Sequence, residues 1–125
     1  MPHFLVQFSY APRSIRAMVD QPDVDHAREA SAMVASLGGK LLGYWFAFGA
    51  FDGVVMMEAA DNSAAASVAM AIGGTGEVTR LETTVLLTMD EAQRAMRNAA
   101  GATHLPPDPL TQGSTASAAR GKERS

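Results

Sequence analysis

Residues 3–10, from His3 to Tyr10, alternate along the chain. Phe4, Val6, Phe8 and Tyr10 fall on one side; His3, Leu5, Gln7 and Ser9 fall on the other. A period of two predicts a strand with one apolar and one mixed face. Pro12 suits the first turn of a helix, where its missing N–H costs nothing. Ile15, Met18 and Val19 give that short helix an apolar stripe, and Pro22 ends it. The spacing of Ala27, Ala30, Val34 and Leu37 predicts a longer helix over 23–37. Asp23 and Asp25 favour its start, and Gly38-Gly39 its stop.

Two strands follow, an aromatic-rich one over 40–48 and an apolar one over 53–59. The short segment Gly49-Ala50-Phe51-Asp52 between them predicts a hairpin, with Gly49 as a position needing positive φ. Asp61, Asn62 and Ser63 can cap a helix over 62–72, whose packing face is Ala65, Val68, Ala69 and Ile72. A strand over 77–87 alternates again. Thr88 and Glu91 have capping-box spacing at the head of a helix over 89–100.

The order is β-α-β-β-α-β plus a C-terminal helix. That order predicts an α+β fold, the ferredoxin-like plait, an antiparallel sheet with both main helices on one face. Right-handed crossovers place the first and third strands in the middle. Alternation assigns Phe4, Val6, Phe8, Leu81, Val85 and Leu87 to the helix side. The open side then holds Gln7, Ser9, Val54, Met56, Glu58, Arg80, Glu82 and Thr84, with part of the aromatic strand.

Composition sharpens this picture. The chain has 125 residues, 47% of them hydrophobic and 18% charged, which excludes a wholly disordered chain. Of the hydrophobic residues 23 are alanine, so the core of one copy is thin. An open face mixing Val, Met and aromatic residues is too apolar to leave in water. Both points predict a homodimer, or a higher oligomer, in which two sheets meet face to face. The net charge of −3 offers no basic field for nucleic acid. No segment has the roughly 20 apolar residues that span a bilayer, and no leader pattern is visible, so a cytoplasmic protein is expected. Residues 1–101 are expected to fold as one domain. Residues 102–125, with Pro106, Pro107, Pro109 and many Ser, Thr and Gly, read as a disordered tail. The basic residues Arg120, Lys122 and Arg124 in it read as solvated charge rather than a nucleic-acid contact.

Three stretches resemble one family. They are Leu37 to Trp45 (LGGKLLGYW), Phe48 to Val55 (FGAFDGVV) and Glu58 to Asn62 (EAADN). Together they are similar to the GYD-domain proteins, small bacterial proteins grouped with the dimeric α/β barrels. The resemblance covers about residues 1–100 and implies that fold and a dimer. Gly49, Phe51 and Asp52 occupy the motif, but Phe51 stands where the family has Tyr. Ala11 stands where a helix-capping Thr or Ser is expected. Ala11→Thr should then stabilise by roughly 0.5–2 kcal/mol.

Candidate chemistry is sparse. Asp52 is either a base at a cavity mouth or a turn carboxylate accepting backbone N–H bonds. Arg80 and Glu82 point the same way from one strand. With Glu58 they form either an anion site with a base or an ion pair that sets dimer register. His3 is a further acid–base candidate, or simply a surface histidine. Tyr44 to Phe48 could stack on a ligand or form core and interface. Gln7, Tyr44, Met56 and Arg80 are the expected ligand contacts between sheet faces. Cysteine is absent, and His3, His26 and His104 are far apart, so no metal site is expected. No cofactor is implied. Gly73-Gly74-Thr75-Gly76 follows a helix and lacks the Lys-Ser/Thr of a phosphate loop. The expectation is an oligomer that binds a small, partly apolar molecule. The alternatives are a cofactor-independent monooxygenase or isomerase of the same architecture, and a structural or regulatory module.

Overall fold

A computed structural model describes residues 1–103. The alternating N-terminal segment forms β1 (His3–Tyr10). Its even-numbered members Phe4, Val6 and Phe8 are buried. Pro12 opens α1 (Pro12–Asp20), and Ala11 is its N-cap residue, with no side-chain cap bond. Asp25 caps α2 (His26–Ser36) by accepting the Arg28 N–H at 3.0 Å. Gly38, at φ +83°, takes the chain out of α2 into β2 (Lys40–Phe46). β3 (Gly53–Glu58) leads to α3 (Asn62–Gly73), capped by Asp61 on the Ala64 N–H at 2.8 Å. β4 (Val78–Leu86) and α4 (Met89–Ala100) complete the order.

The sheet order is β2-β3-β1-β4, antiparallel throughout, with β1 and β3 in the middle as the crossover rule requires. This is the ferredoxin-like plait expected from the sequence. Register fixes the faces. Phe4 pairs with Met57 and Val85, Val6 with Val55, and Phe8 with Gly53 and Leu81. That face carries the core, into which α2 inserts Val34 and α3 inserts Ala65 and Val68. Val85 registers on this side yet is half-exposed, and Leu87 lies just past the strand. The other face carries Leu5, Gln7, Val54, Met56, Arg80 and Glu82.

Two glycines make this packing possible. A Cβ on Gly53 would lie 2.4 Å from the Phe8 ring, which covers that position across the strands. A Cβ on Gly43 would lie 2.3 Å from the Trp45 indole, two residues along on the same face of the edge strand. Aromatic rings laid over strand glycines restore contact that a missing side chain forfeits. Gly49 is a correction to the sequence reading. Positive φ among the described glycines occurs at Gly38 and Gly76, and a Cβ at Gly49 would meet nothing within 4 Å. β2 stops at Phe46, so the loop over 47–52 is long enough to reverse without a left-handed glycine. The Ala47 N–H closes that loop onto the Asp52 carbonyl at 2.7 Å.

Residues Met1–Met89 form one compact unit and a second begins at Asp90. Within the second, α4 places Asp90 and Glu91 in its first turn and Arg97 in its last, each opposing the nearer pole of the helix dipole. The tail expected over 102–125 lies, from residue 104 on, outside the described residues, as does His104. Among the described residues no helix is long and apolar enough to cross a membrane.

Candidate functional site

α1 contributes no buried residue, and it spans rather than fills the space beside the sheet. Beneath it lies a cavity of about 590 Å³, between the helix side of the sheet and α1, α2 and α3. Its walls are mainly hydrocarbon, with Val6 and Val55 from the sheet, Met18 from α1, Met33 from α2, Val68 and Ile72 from α3, and polar side chains such as Ser14, Gln21 and Glu77 among them. The N-terminus of α1 is tied to the segment before β4. The Ala11 N–H and the Ser14 hydroxyl both donate to the Glu77 carbonyl, each at 2.8 Å. Arg13 donates to the Thr75 carbonyl at 3.4 Å.

Two phenols interrupt the apolar wall. The Tyr10 and Tyr44 hydroxyls hydrogen-bond to each other, across 34 residues of sequence. Both rings belong to an aromatic cluster. Phe8 meets Tyr10 edge-on at 5.3 Å and Tyr44 at 6.0 Å, and Phe46 packs against both tyrosines. Burial pushes the ionisation of both phenols upward, because an apolar site disfavours the phenolate. For Tyr10 the bond to Tyr44 and the charges of Asp52 and Glu77 push further the same way. For Tyr44 the bond from Tyr10 opposes burial, while Glu77 and Glu29 add to it. Both stay neutral near pH 7.

The motif loop supports this cluster from behind. Asp52 Oδ2 accepts the Tyr10 N–H at 3.1 Å, and the Asp52 N–H donates to the Phe8 carbonyl at 2.9 Å. Gly53 leaves room for the Phe8 ring. Asp52-Gly53 therefore sets the path of β1 at the two residues whose rings meet at the cavity. At the rim, His26 is edge-on to Phe46 at 6.0 Å, with Nδ1 3.8 Å from Glu29 Oε1.

Of the residues expected at a ligand, Tyr44 lines the cavity. Gln7, Met56 and Arg80 sit on the opposite, open face. There Arg80 Nη2 lies 3.2 Å from Glu82 Oε2, and its guanidinium stands 4.3 Å from the centroid of Phe51. Phe51, the motif aromatic, is buried under that charge. His3 and Glu58 are cross-strand partners on the same face, with Nε2 3.4 Å from Oε2. The structure thus brings Arg80 to Glu82 and His3 to Glu58, and brings none of the four to the cavity. Among the described residues no three His, Asp or Glu side chains are grouped to hold a metal ion.

Tyr10, His26 and Glu29 were not among the residues expected at a site. The signal for Tyr10 was a hydroxyl ending a run of hydrocarbon on the buried side of β1. His26 and Glu29 gave no pattern, since both stand on the first turn of α2 among polar neighbours.

No curated protein matches the chain. Solved structures do, at low identity. A Thermus thermophilus protein is 17% identical, with a TM-score of 0.49 over 70% of this chain and 95% of its own. The 5-chloro-2-hydroxyhydroquinone dehydrochlorinase of Burkholderia phenoliruptrix, solved with 2,5-dihydroxybenzoquinone, is 15% identical. Its TM-score is 0.48 over 70% of this chain and 96% of its own. A NIPSNAP-like domain protein of Burkholderia xenovorans is 17% identical, with a TM-score of 0.45 over 87% of this chain and 96% of its own. The match that identifies the chain is one of sequence: the GYD domain profile fits residues 4–96, and the chain belongs to the GYD domain family.

Proposed function

We propose that the protein is a homo-oligomeric binding protein for a small, partly apolar molecule, held between the sheet and α1, α2 and α3. The observation that carries this is the cavity of about 590 Å³, walled mainly by hydrocarbon and holding a hydrogen-bonded pair of phenols. Concave, mostly apolar sites of this size with a few convergent polar groups are the ordinary form of ligand pockets. The sequence reading put the ligand between sheet faces; the cavity favours the helix side instead.

The open face supports the oligomer. It combines Leu5, Val54, Met56 and the half-exposed Trp45 with an Arg80–Glu82 pair, a set that a two-fold axis can match to itself. A structural module is less well supported, because such a module needs no hollow beside its sheet. A cofactor-independent enzyme remains the second reading. The observation in its favour is His26 at the rim, where its Nδ1 lies 3.8 Å from Glu29 Oε1 and both side chains belong to the lining.

Calorimetric titration with naphthalene tests the pocket. The wild-type chain should bind it, and Ala30→Phe, which fills the cavity from α2, should not. Equal binding by both overturns the site. Light scattering on a sizing column tests the oligomer, which should weigh at least twice the 13.1 kDa of one chain. Arg80→Glu should shift it toward one copy. A 13.1 kDa species at micromolar concentration removes the oligomer from the proposal.

A further inference from the structure

The polar groups of the cavity differ in what they have left to give. The Ser14 hydroxyl is spent on the Glu77 carbonyl at 2.8 Å. The Thr75 hydroxyl donates to the Ile72 carbonyl at 2.7 Å and accepts the Glu77 N–H at 3.1 Å. Arg13 and Gln21 are exposed, Arg13 with one N–H 3.4 Å from the Thr75 carbonyl. The tyrosine pair is different. Two phenols carry two hydroxyl protons, and their mutual bond uses one. The other is available to an acceptor in the cavity, with the aromatic cluster fixing the rings that carry the hydroxyls.

Charge around the pair narrows the class of acceptor. Asp52, Glu77 and Glu29 surround the phenols and act on them electrostatically. Arg13 is exposed, with one N–H 3.4 Å from the Thr75 carbonyl, and His26 lies beside Glu29. A carboxylate or phosphate at the phenols would meet Glu77 and Glu29 in the lining, with Asp52 behind Tyr10, and lose its water without a buried cation in return. A ligand ammonium would be drawn to the carboxylates but would meet the phenols donor to donor. A neutral carbonyl oxygen meets neither penalty.

We propose that this pocket takes uncharged apolar carbonyl compounds, such as aryl ketones, aldehydes or esters, with the carbonyl oxygen accepting from the Tyr10–Tyr44 pair. The proposal rests on the pocket being a binding site and goes further by naming the ligand class.

Four probes on one ring frame test it by calorimetric titration of the full chain. They are naphthalene, 2-acetylnaphthalene, 2-naphthoate and 1-(2-naphthyl)ethylamine. The ketone should bind tightest, about 2- to 12-fold better than naphthalene, the value of one hydrogen bond. The naphthoate should bind more weakly than naphthalene. In the Tyr10→Phe/Tyr44→Phe double variant, naphthalene should still bind and the preference for the ketone should vanish. Retained naphthalene binding shows that the variant is folded. Tighter binding of the naphthoate or the amine overturns the ligand class while leaving the pocket in place. So does a ketone preference that survives in the double variant. Binding of none of the four overturns the pocket and the proposal together.

Discussion

Tyr10 and Tyr44, the only two tyrosines in the chain, meet hydroxyl to hydroxyl in the wall of the cavity. One ends β1 and the other lies within β2, two strands apart in a sheet where β3 runs between them. Their bond is therefore a tertiary contact, and it ties an edge strand to a central one. Tyr10→Phe or Tyr44→Phe should each cost about 0.5–1.5 kcal/mol in urea unfolding, and the double variant less than the sum of the two. Additive losses would show that the hydroxyls are not coupled.

The same pair gives an alkaline limit. Each phenol ionises above its ordinary value near 10 when folded and at that value when unfolded. Above pH 10 the unfolded chain therefore holds fewer protons than the folded one, and stability falls as pH rises. Below pH 10 the contribution is fully present. The groups facing the phenols are Asp52, Glu77, Glu29, His26 and Arg13. Melting temperature should decline from about pH 10 toward pH 12, and the double Phe variant should decline less. Parallel curves would refute the assignment.

Asp52 acts here through a backbone bond. Asp52→Ala leaves the Tyr10 N–H without its acceptor and should destabilise by about 1–3 kcal/mol. Asp52→Asn keeps an acceptor oxygen and should recover most of that loss. If both variants weaken ligand binding at unchanged stability, Asp52 contacts the ligand instead.

The motif's glycines should respond oppositely. Gly53→Ala drives a Cβ into the Phe8 ring and should cost about 1–3 kcal/mol. Gly49→Ala enters open space and should stay within about 0.5 kcal/mol of wild type. Chemical denaturation of the two variants side by side checks both.

The missing cap on α1 is repairable. Ala11 is only 8% exposed, which leaves little room for a threonine methyl, so Ala11→Ser is the better replacement. It should raise stability by roughly 0.5–2 kcal/mol. An unchanged melting temperature would mean that the serine hydroxyl cannot reach the first turn.

The fold was legible because its signals are periodic. The two-residue alternation of β1 and the 3–4 residue spacing in α2 survive into the structure with ends shifted by a few positions. β2 hid its faces. Its pairing slips between Leu41 and Gly43, so Leu41 and Tyr44, three apart, both face the helices. A bulge of this kind breaks the alternation that a sequence reading must assume. The site was less legible for a related reason. The charged residues that draw attention, His3, Glu58, Arg80 and Glu82, decorate the open face, where they pair with one another. The cavity is walled mainly by hydrocarbon and two phenols, residue types that read as core in any sequence. Its existence depends on α1 standing off the sheet, which no local pattern encodes.

Trp45 lies over Gly43 on the face opposite the cavity, and it is the chain's single tryptophan. The open face therefore carries a fluorophore that the cavity lacks. Indole emission, excited at the red edge where the neutral phenols do not absorb, senses whatever covers or uncovers that face. Association between copies can be followed in this way with no label attached.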